Sequence, residues 1–310
     1  MIEHALWAAL IFLIIASALP GQHRNYRFLA GSAGWGFFAI HWLIQPAHYI
    51  EIGDYVNVLL VLAVSVFCMI IAHAMYRNYE HSLDDGDVLL TITTAAALGG
   101  LFYYPFAKVE FLNTFLISAV AEQVVYILHL FNVPAELALG EESMIMDAIK
   151  LNGHQVKIIF ACTAIESIAI FIGLIFCVRA SAKRTTIAFI ASIPVIYVLN
   201  LIRDAFVVVA FGYQWFRWLY QYQWVQWLNQ WLWHSNDINS IDHISCIDHI
   251  SFQIAHHVIA KIGSGIALFV IAYVVLRVLP ELLDVIDQLF TIVRSYLTTM
   301  TTRNKREDGL

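Results

Sequence analysis

The chain has 310 residues, of which 60% are hydrophobic and 13% charged, with a mean hydropathy of +0.72 and a formal net charge of −6. Soluble domains are about 45–50% apolar and about 25% charged, so a soluble protein of this make-up could not cover its own surface. The charge is thinly spread with no basic face, which argues against a nucleic-acid partner, and the expected fold class is all-α, a polytopic transmembrane helical bundle with interfacial amphipathic helices.

A spanning helix needs about 20 mostly apolar residues. Such runs lie at 5–20, 28–45, 55–75, 88–106, 156–178, 187–211 and 258–279, within a single multi-pass domain over 1–310. The first, Ala5 to Leu19, has no basic region before it and ends in a poor cleavage site, so it reads as a retained membrane helix rather than a signal peptide. The stretch 111–131 is apolar but carries Glu122, Gln123 and His129, and is either an eighth span or a helix lying in the interface.

Short loops rich in Lys and Arg stay cytoplasmic. Arg24 and Arg27, Arg77, the group Arg179, Lys183 and Arg184, and the terminal Arg303, Lys305 and Arg306 all fall on one side if seven spans start from an outside N-terminus. An eighth span at 111–131 breaks that alternation unless it re-enters on the same side. The 280–310 tail, opening as an amphipathic helix with Glu281, Asp284 and Asp287 toward water, is then cytoplasmic.

Two segments are left outside. The first, 132–155, reads as a polar loop with Glu136, Glu141, Glu142 and Asp147. The second, 212–256, opens with Tyr213 to Trp233, which hold six of the nine tryptophans. Trp and Tyr favour the headgroup region, where one end of the ring is apolar and the other wet, so this reads as an amphipathic helix flat on the outer leaflet. A small repeat follows, Ile241-Asp-His-Ile-Ser245, Cys246, then Ile247-Asp-His-Ile-Ser251. Its Asp242, His243, Asp248 and His249 match no standard zinc spacing and read as a solvated turn; neither a metal nor a cofactor is expected.

Ionisable groups inside apolar spans are costly and mark functional candidates. Asn200-Leu-Ile-Arg203-Asp204 lies deep in the sixth run; Arg203 cannot discharge, so it requires an anionic partner such as Glu166, or a wet cavity. The fifth run carries Cys162-Thr-Ala-Ile-Glu166, and a spacing of four puts Cys162 and Glu166 on one helix face. His256 and His257 open the last span from the outside. Thiol, guanidinium and imidazole therefore converge on one leaflet. A nearby cation favours the nucleophilic thiolate, a histidine can relay its proton to a leaving amine, and an arginine can hold an oxyanion. The combination suggests acyl transfer through a thioester. Cys68 and Cys177 sit in apolar runs as small hydrophobes, and Cys246 lies among carboxylates that disfavour its thiolate. Two rival classes use other residues: a transporter or channel with Arg203, Asp204 and Glu166 along a polar path, and a metal-dependent intramembrane hydrolase built on His243, His249 and Asp248.

Ala161-Cys162-Thr-Ala-Ile-Glu-Ser167, then Asn200-Leu-Ile-Arg203, then a histidine opening the last span, resembles the exosortase/archaeosortase family. Lys261-Ile-Gly-Ser-Gly-Ile-Ala-Leu and Leu276-Arg-Val-Leu-Pro-Glu-Leu282 are similar to its archaeosortase branch. The resemblance implies a membrane cysteine transpeptidase or protease, with no cofactor, at the extracytoplasmic face of the plasma membrane. Its partners would be membrane-anchored substrate proteins with a C-terminal sorting signal (short motif, transmembrane segment, basic tail), whose new carboxyl end passes to a membrane lipid. Carried onto this chain, Cys162 is the nucleophile and Arg203 the essential cation. The third position, His in exosortases and Arg in haloarchaeal archaeosortases, aligns with His257. His256, Glu166, Asn200 and Asp204 are supporting residues.

Overall fold

The computed structural model describes residues 2–51, 55–81, 86–140, 145–223 and 250–307. In chain order it has α1 (Ile2–Ala18), α2 (Arg24–Ile44), α3 (Pro46–Glu51), α4 (Tyr55–His81), α5 (Gly86–Lys108) and α6 (Glu110–Leu130). Strands β1 (Glu136–Ala138), β2 (Ala148–Leu151) and β3 (His154–Lys157) follow, then α7 (Ile165–Cys177) and α8 (Ala182–Gly212). The last two helices are α9 (Ile250–Val278) and α10 (Glu281–Glu307). Among the described residues, five helices are long and apolar enough to cross a membrane: α5, α6, α8, α9 and the stretch Asn57–His81 of α4. The protein is an all-α, multi-pass membrane bundle.

The chain forms two compact units, one of 1–102, 170–188 and 276–310, the other of 103–169 and 189–275. The first is held by an apolar core in which Leu13, Phe28, Trp35, Ile71, Met75 and Leu89 are buried. Trp35 donates from its buried indole to Thr93 (3.0 Å), which gives the N–H the partner that lipid and side-chain packing would deny it. Helices α5 and α7 touch backbone to backbone at Gly173, where a Cβ would lie 2.4 Å from the Ala95 carbonyl oxygen. Arg24 pairs with Asp87 at 3.1 Å, and Arg27 lies in electrostatic range of both Arg24 and Arg179. Arg184 donates to the Val278 carbonyl (2.8 Å) and, from both terminal nitrogens, to the Glu281 carboxylate.

The second unit departs from the sequence expectation in two places. The segment read as a polar loop, 132–155, carries a three-stranded antiparallel sheet in the order β1-β2-β3. Strands β2 and β3 are joined by Asn152 (φ 51°) and Gly153 (φ 85°), the two-residue turn with both central residues left-handed that matches strand twist. Alternate side chains on the strands, Ile149, Leu151, Val156 and, beyond β3, Ile158, pack into a core with Val120, Val124 and Leu128 of α6 and Val208 and Phe211 of α8. The apolar run 156–178 is not one helix. Its first residues complete β3 and a 3-10 turn, Phe160–Cys162, and α7 has only 13 residues. A short apolar run fits a buried strand as well as a buried helix, and here the sheet claims it.

The stretch 111–131 falls on α6, an unbroken helix that follows α5 after the single extended residue Val109 (φ −93°, ψ 109°). Helix α9 is π-helical over Ile254–Ala260, so its residues here are wound more loosely than in an α-helix. Of the tryptophan-rich segment, residues up to 223 are described: they form a 3-10 turn at Arg217–Gln221, with Trp215 and Trp218 exposed. Of the repeat, Asp242, His243, Asp248 and His249, together with Cys246, lie outside the described residues.

Candidate active site

Cys162 ends the 3-10 turn rather than beginning a helix. Its N–H donates to the Ile159 carbonyl (2.8 Å), and the Thr163 N–H and hydroxyl both donate to the Phe160 carbonyl (3.1 and 2.7 Å). Ala164 then takes a left-handed conformation (φ 59°), and its carbonyl receives the Ile168 N–H (3.0 Å) as α7 starts. A non-glycine residue at such a φ is uncommon and costs roughly 1 kcal/mol, held here by the hydrogen bonds on either side. Cys162 is 7% exposed. Burial pushes the thiol pKa up, a separate backbone hydrogen bond from Ile159 to the sulfur opposes this, Asp204 adds to the rise and Arg203 lowers it.

Helix α8 supplies the polar groups. Asn200 Nδ2 donates to the Cys162 carbonyl (2.6 Å) and to Asp204 Oδ2 (3.1 Å), while its Oδ1 accepts from Arg203 Nη1 (3.3 Å). Arg203 Nη1 also lies 3.5 Å from Asp204 Oδ1, in a pair whose side chains are 17% and 4% exposed. A buried ion pair of this kind is satisfied only with further hydrogen bonds, and Asn200 provides them. Among the described residues, the buried Arg203 Nε has no hydrogen-bond partner.

Two cavities meet these residues. A cavity of about 270 Å³ is lined by Cys162, Asp204 and His256, with β3 along one side and Phe211 and Phe252 among its apolar walls. A larger one, about 630 Å³, is lined by Arg203, Asn200, Glu166, Lys261 and apolar residues of α8 and α9. The expected shared face of Cys162 and Glu166 is absent, because Cys162 precedes the helix that carries Glu166; Glu166 instead accepts a long 3.4 Å bond from Tyr103. His256 lies in electrostatic range of Arg203 and stacks on Phe252 (centroids 5.1 Å). His257 stands edge-on to His256 (4.7 Å) and is in neither lining. Asn200 is the residue whose weight sequence reasoning understates: its place one helical turn before Asp204 is the available signal.

An apolar helical bundle with these long spans is a multi-pass membrane protein. The chain belongs to the transmembrane exosortase family, whose model matches residues 3–236. It is similar to "Archaeosortase A" of Natronomonas pharaonis, 28% identical over 299 residues, covering 92% of this chain and 88% of that protein. It is also similar to "Archaeosortase A" of Haloferax volcanii, 25% identical over 301 residues, covering 93% and 92%. No solved structure matches this chain.

Proposed function

We propose that this protein is a membrane sorting enzyme, a cysteine protease and transpeptidase acting on substrate proteins with a C-terminal signal, and that Cys162 is its nucleophile. The sulfur attacks the scissile carbonyl while His256 takes the thiol proton. The C–N bond breaks as His256 returns that proton to the leaving amine, and a thioester remains on Cys162. A hydroxyl or amine of a membrane lipid then attacks the thioester, giving its proton through His256 to the departing sulfur. His257, aligned with the family's third position, packs on His256 and fixes its ring.

The observation that carries this reading is the set of hydrogen bonds by which Asn200 joins the Cys162 carbonyl to Asp204 and to the Arg203 guanidinium. A guanidinium tied in this way to the thiol turn is a donor for the charge that develops when the scissile carbonyl is attacked. Asn200 and Asp204 hold one side of the guanidinium, so the donor is already oriented before charge develops. Helix α8 supports a site at the extracytoplasmic face. Arg203 lies nineteen positions after Arg184, which is about 29 Å of helix, close to the roughly 30 Å hydrocarbon thickness.

The test uses a surface-protein reporter with a C-terminal motif, transmembrane segment and basic tail, co-expressed with each variant. Cys162→Ser abolishes processing, and mass spectrometry of the quenched wild-type enzyme finds an acyl adduct on Cys162. Cys246→Ser processes at close to the wild-type rate. Processing by Cys162→Ser at a comparable rate, or an adduct on Cys246, overturns the reading.

A further inference from the structure

We infer that the outer edge of β3, unpaired among the described residues, is the substrate-binding edge: the peptide around the scissile bond pairs with it as a fourth strand of the sheet. This rests on the reading of Cys162 as the nucleophile, and it assigns how the bond to be cut is presented.

The register carries the argument. Residues β3 and β2 pair as Leu151↔His154, Lys150↔Gln155, Ile149↔Val156 and Ala148↔Lys157. Antiparallel pairs alternate between bonded and non-bonded positions, and a two-residue turn is closed by a bonded pair, here Leu151 with His154. The Ile158 N–H donates to the Asp147 carbonyl at 2.7 Å, which extends the same alternation one step past the strand. Residues 154, 156 and 158 therefore spend their backbone groups on β2. Gln155 and Lys157 turn both N–H and C=O away from it, and among the described residues β3 is the last strand of the sheet.

That outward edge faces the thiol cavity. Gln155, Val156, Lys157, Ile158 and Ile159 all line it, and a cavity lined by consecutive residues of a strand runs along its edge rather than over one face. The edge ends where Ile159 gives its carbonyl to the Cys162 N–H, so the row of free backbone groups leads directly to the nucleophile. Unpaired strand edges are templates for an added strand. A helix offers no free backbone groups to such a row, so the occupant is an extended polypeptide. The two outward residues are about 7 Å apart and offer up to four main-chain hydrogen bonds. Val207, Phe211 and Phe252 form the wall facing them, which fits apolar side chains of the incoming strand. This is recognition by strand addition, in which backbone bonds hold the chain and pockets read alternate side chains.

The experiment scans a synthetic peptide spanning the cleavage point of a surface protein that the enzyme processes in cells, methylating one backbone nitrogen at a time, with full-length enzyme in detergent. Strand pairing predicts a rise in KM of about 3- to 10-fold for methylation at alternate residues and little change at those between. A companion variant, Lys157→Pro, removes an outward N–H without touching the β2 ladder. It raises KM by a similar factor while N-ethylmaleimide still modifies Cys162 at the wild-type rate. Methylation tolerated at every position, or an unchanged KM in a Lys157→Pro enzyme with a normally reactive thiol, overturns the proposal. Should that variant lose its reactive thiol, the peptide scan alone decides. Failure here with Cys162→Ser still inactive removes strand addition and leaves the nucleophile in place; cleavage by Cys162→Ser removes the nucleophile.

Discussion

Replacing Asn200 tests whether the thiol turn is held in place by helix α8. Its amide nitrogen makes a neutral hydrogen bond to the Cys162 carbonyl at 2.6 Å and a charge-assisted one to Asp204 at 3.1 Å. The first is worth about 1 kcal/mol and the second about 2 kcal/mol. Asn200→Ala therefore forfeits about 3 kcal/mol of positioning, a loss of roughly two orders of magnitude in processing rate if it is felt wholly in the transition state. Asn200→Asp is the sharper perturbation. It has the same shape but sets a carboxylate oxygen against both the carbonyl and the Asp204 carboxylate, so its deficit exceeds that of Asn200→Ala. A protonated aspartic acid regains one donor, so the deficit of Asn200→Asp narrows as pH falls, whereas that of Asn200→Ala does not. The assay is reporter processing by purified enzyme across pH, with the N-ethylmaleimide rate at Cys162 followed in parallel. Processing by Asn200→Ala within about threefold of wild type, or identical pH profiles for the two variants, refutes the reasoning, because either result means the turn holds itself.

Arg203→Lys should retain less than about a tenth of wild-type processing, since an ammonium cannot keep the Asn200 and Asp204 contacts while presenting the Nε donor; steady-state turnover checks it. His256→Ala should reduce processing more than His257→Ala, because only His256 lines the thiol cavity; equal losses would return the role to the pair. Burial raises the Cys162 pKa, so in an enzyme without the other three cysteines its alkylation rate should keep climbing with pH beyond the range of a free thiol, near about 8.5. Ala164→Gly should raise the thermal midpoint in detergent by relieving a left-handed alanine of roughly 1 kcal/mol, whereas Ala164→Val should lower it.

Hydropathy makes the membrane character legible, because each long apolar helix must satisfy its own backbone in lipid and so appears as an unbroken apolar run. The runs 88–106 and 187–211 lie inside α5 and α8 for that reason. The environment of Cys162 was not legible in the same way. Residues 156–162 are as apolar as a helix start, and only pairing with β2 decides that they are strand and turn. The signal for that pairing was nevertheless present: Asn152-Gly153 between Ala-Ile-Lys-Leu and His-Gln-Val-Lys is a hairpin signature. The grouping of Arg203 with Asp204 follows from adjacency, while the choice between His256 and His257 depends on the π-helical winding of Ile254–Ala260, which no periodicity announces.

The turn that carries Cys162 also bears on inhibitor chemistry. Its own N–H and that of Thr163 are both consumed inside the turn, by Ile159 and Phe160. Neither amide is free to receive the negative oxygen of a tetrahedral adduct, and on the proposed mechanism that task falls to the guanidinium. A peptide aldehyde, which inhibits by forming a thiohemiacetal oxyanion, then owes its affinity to Arg203 and should weaken sharply in Arg203→Lys. A chloromethyl or maleimide reagent, which alkylates sulfur without making an oxyanion, should be far less sensitive to that substitution. The two warhead classes therefore report separately on the sulfur and on the cation beside it.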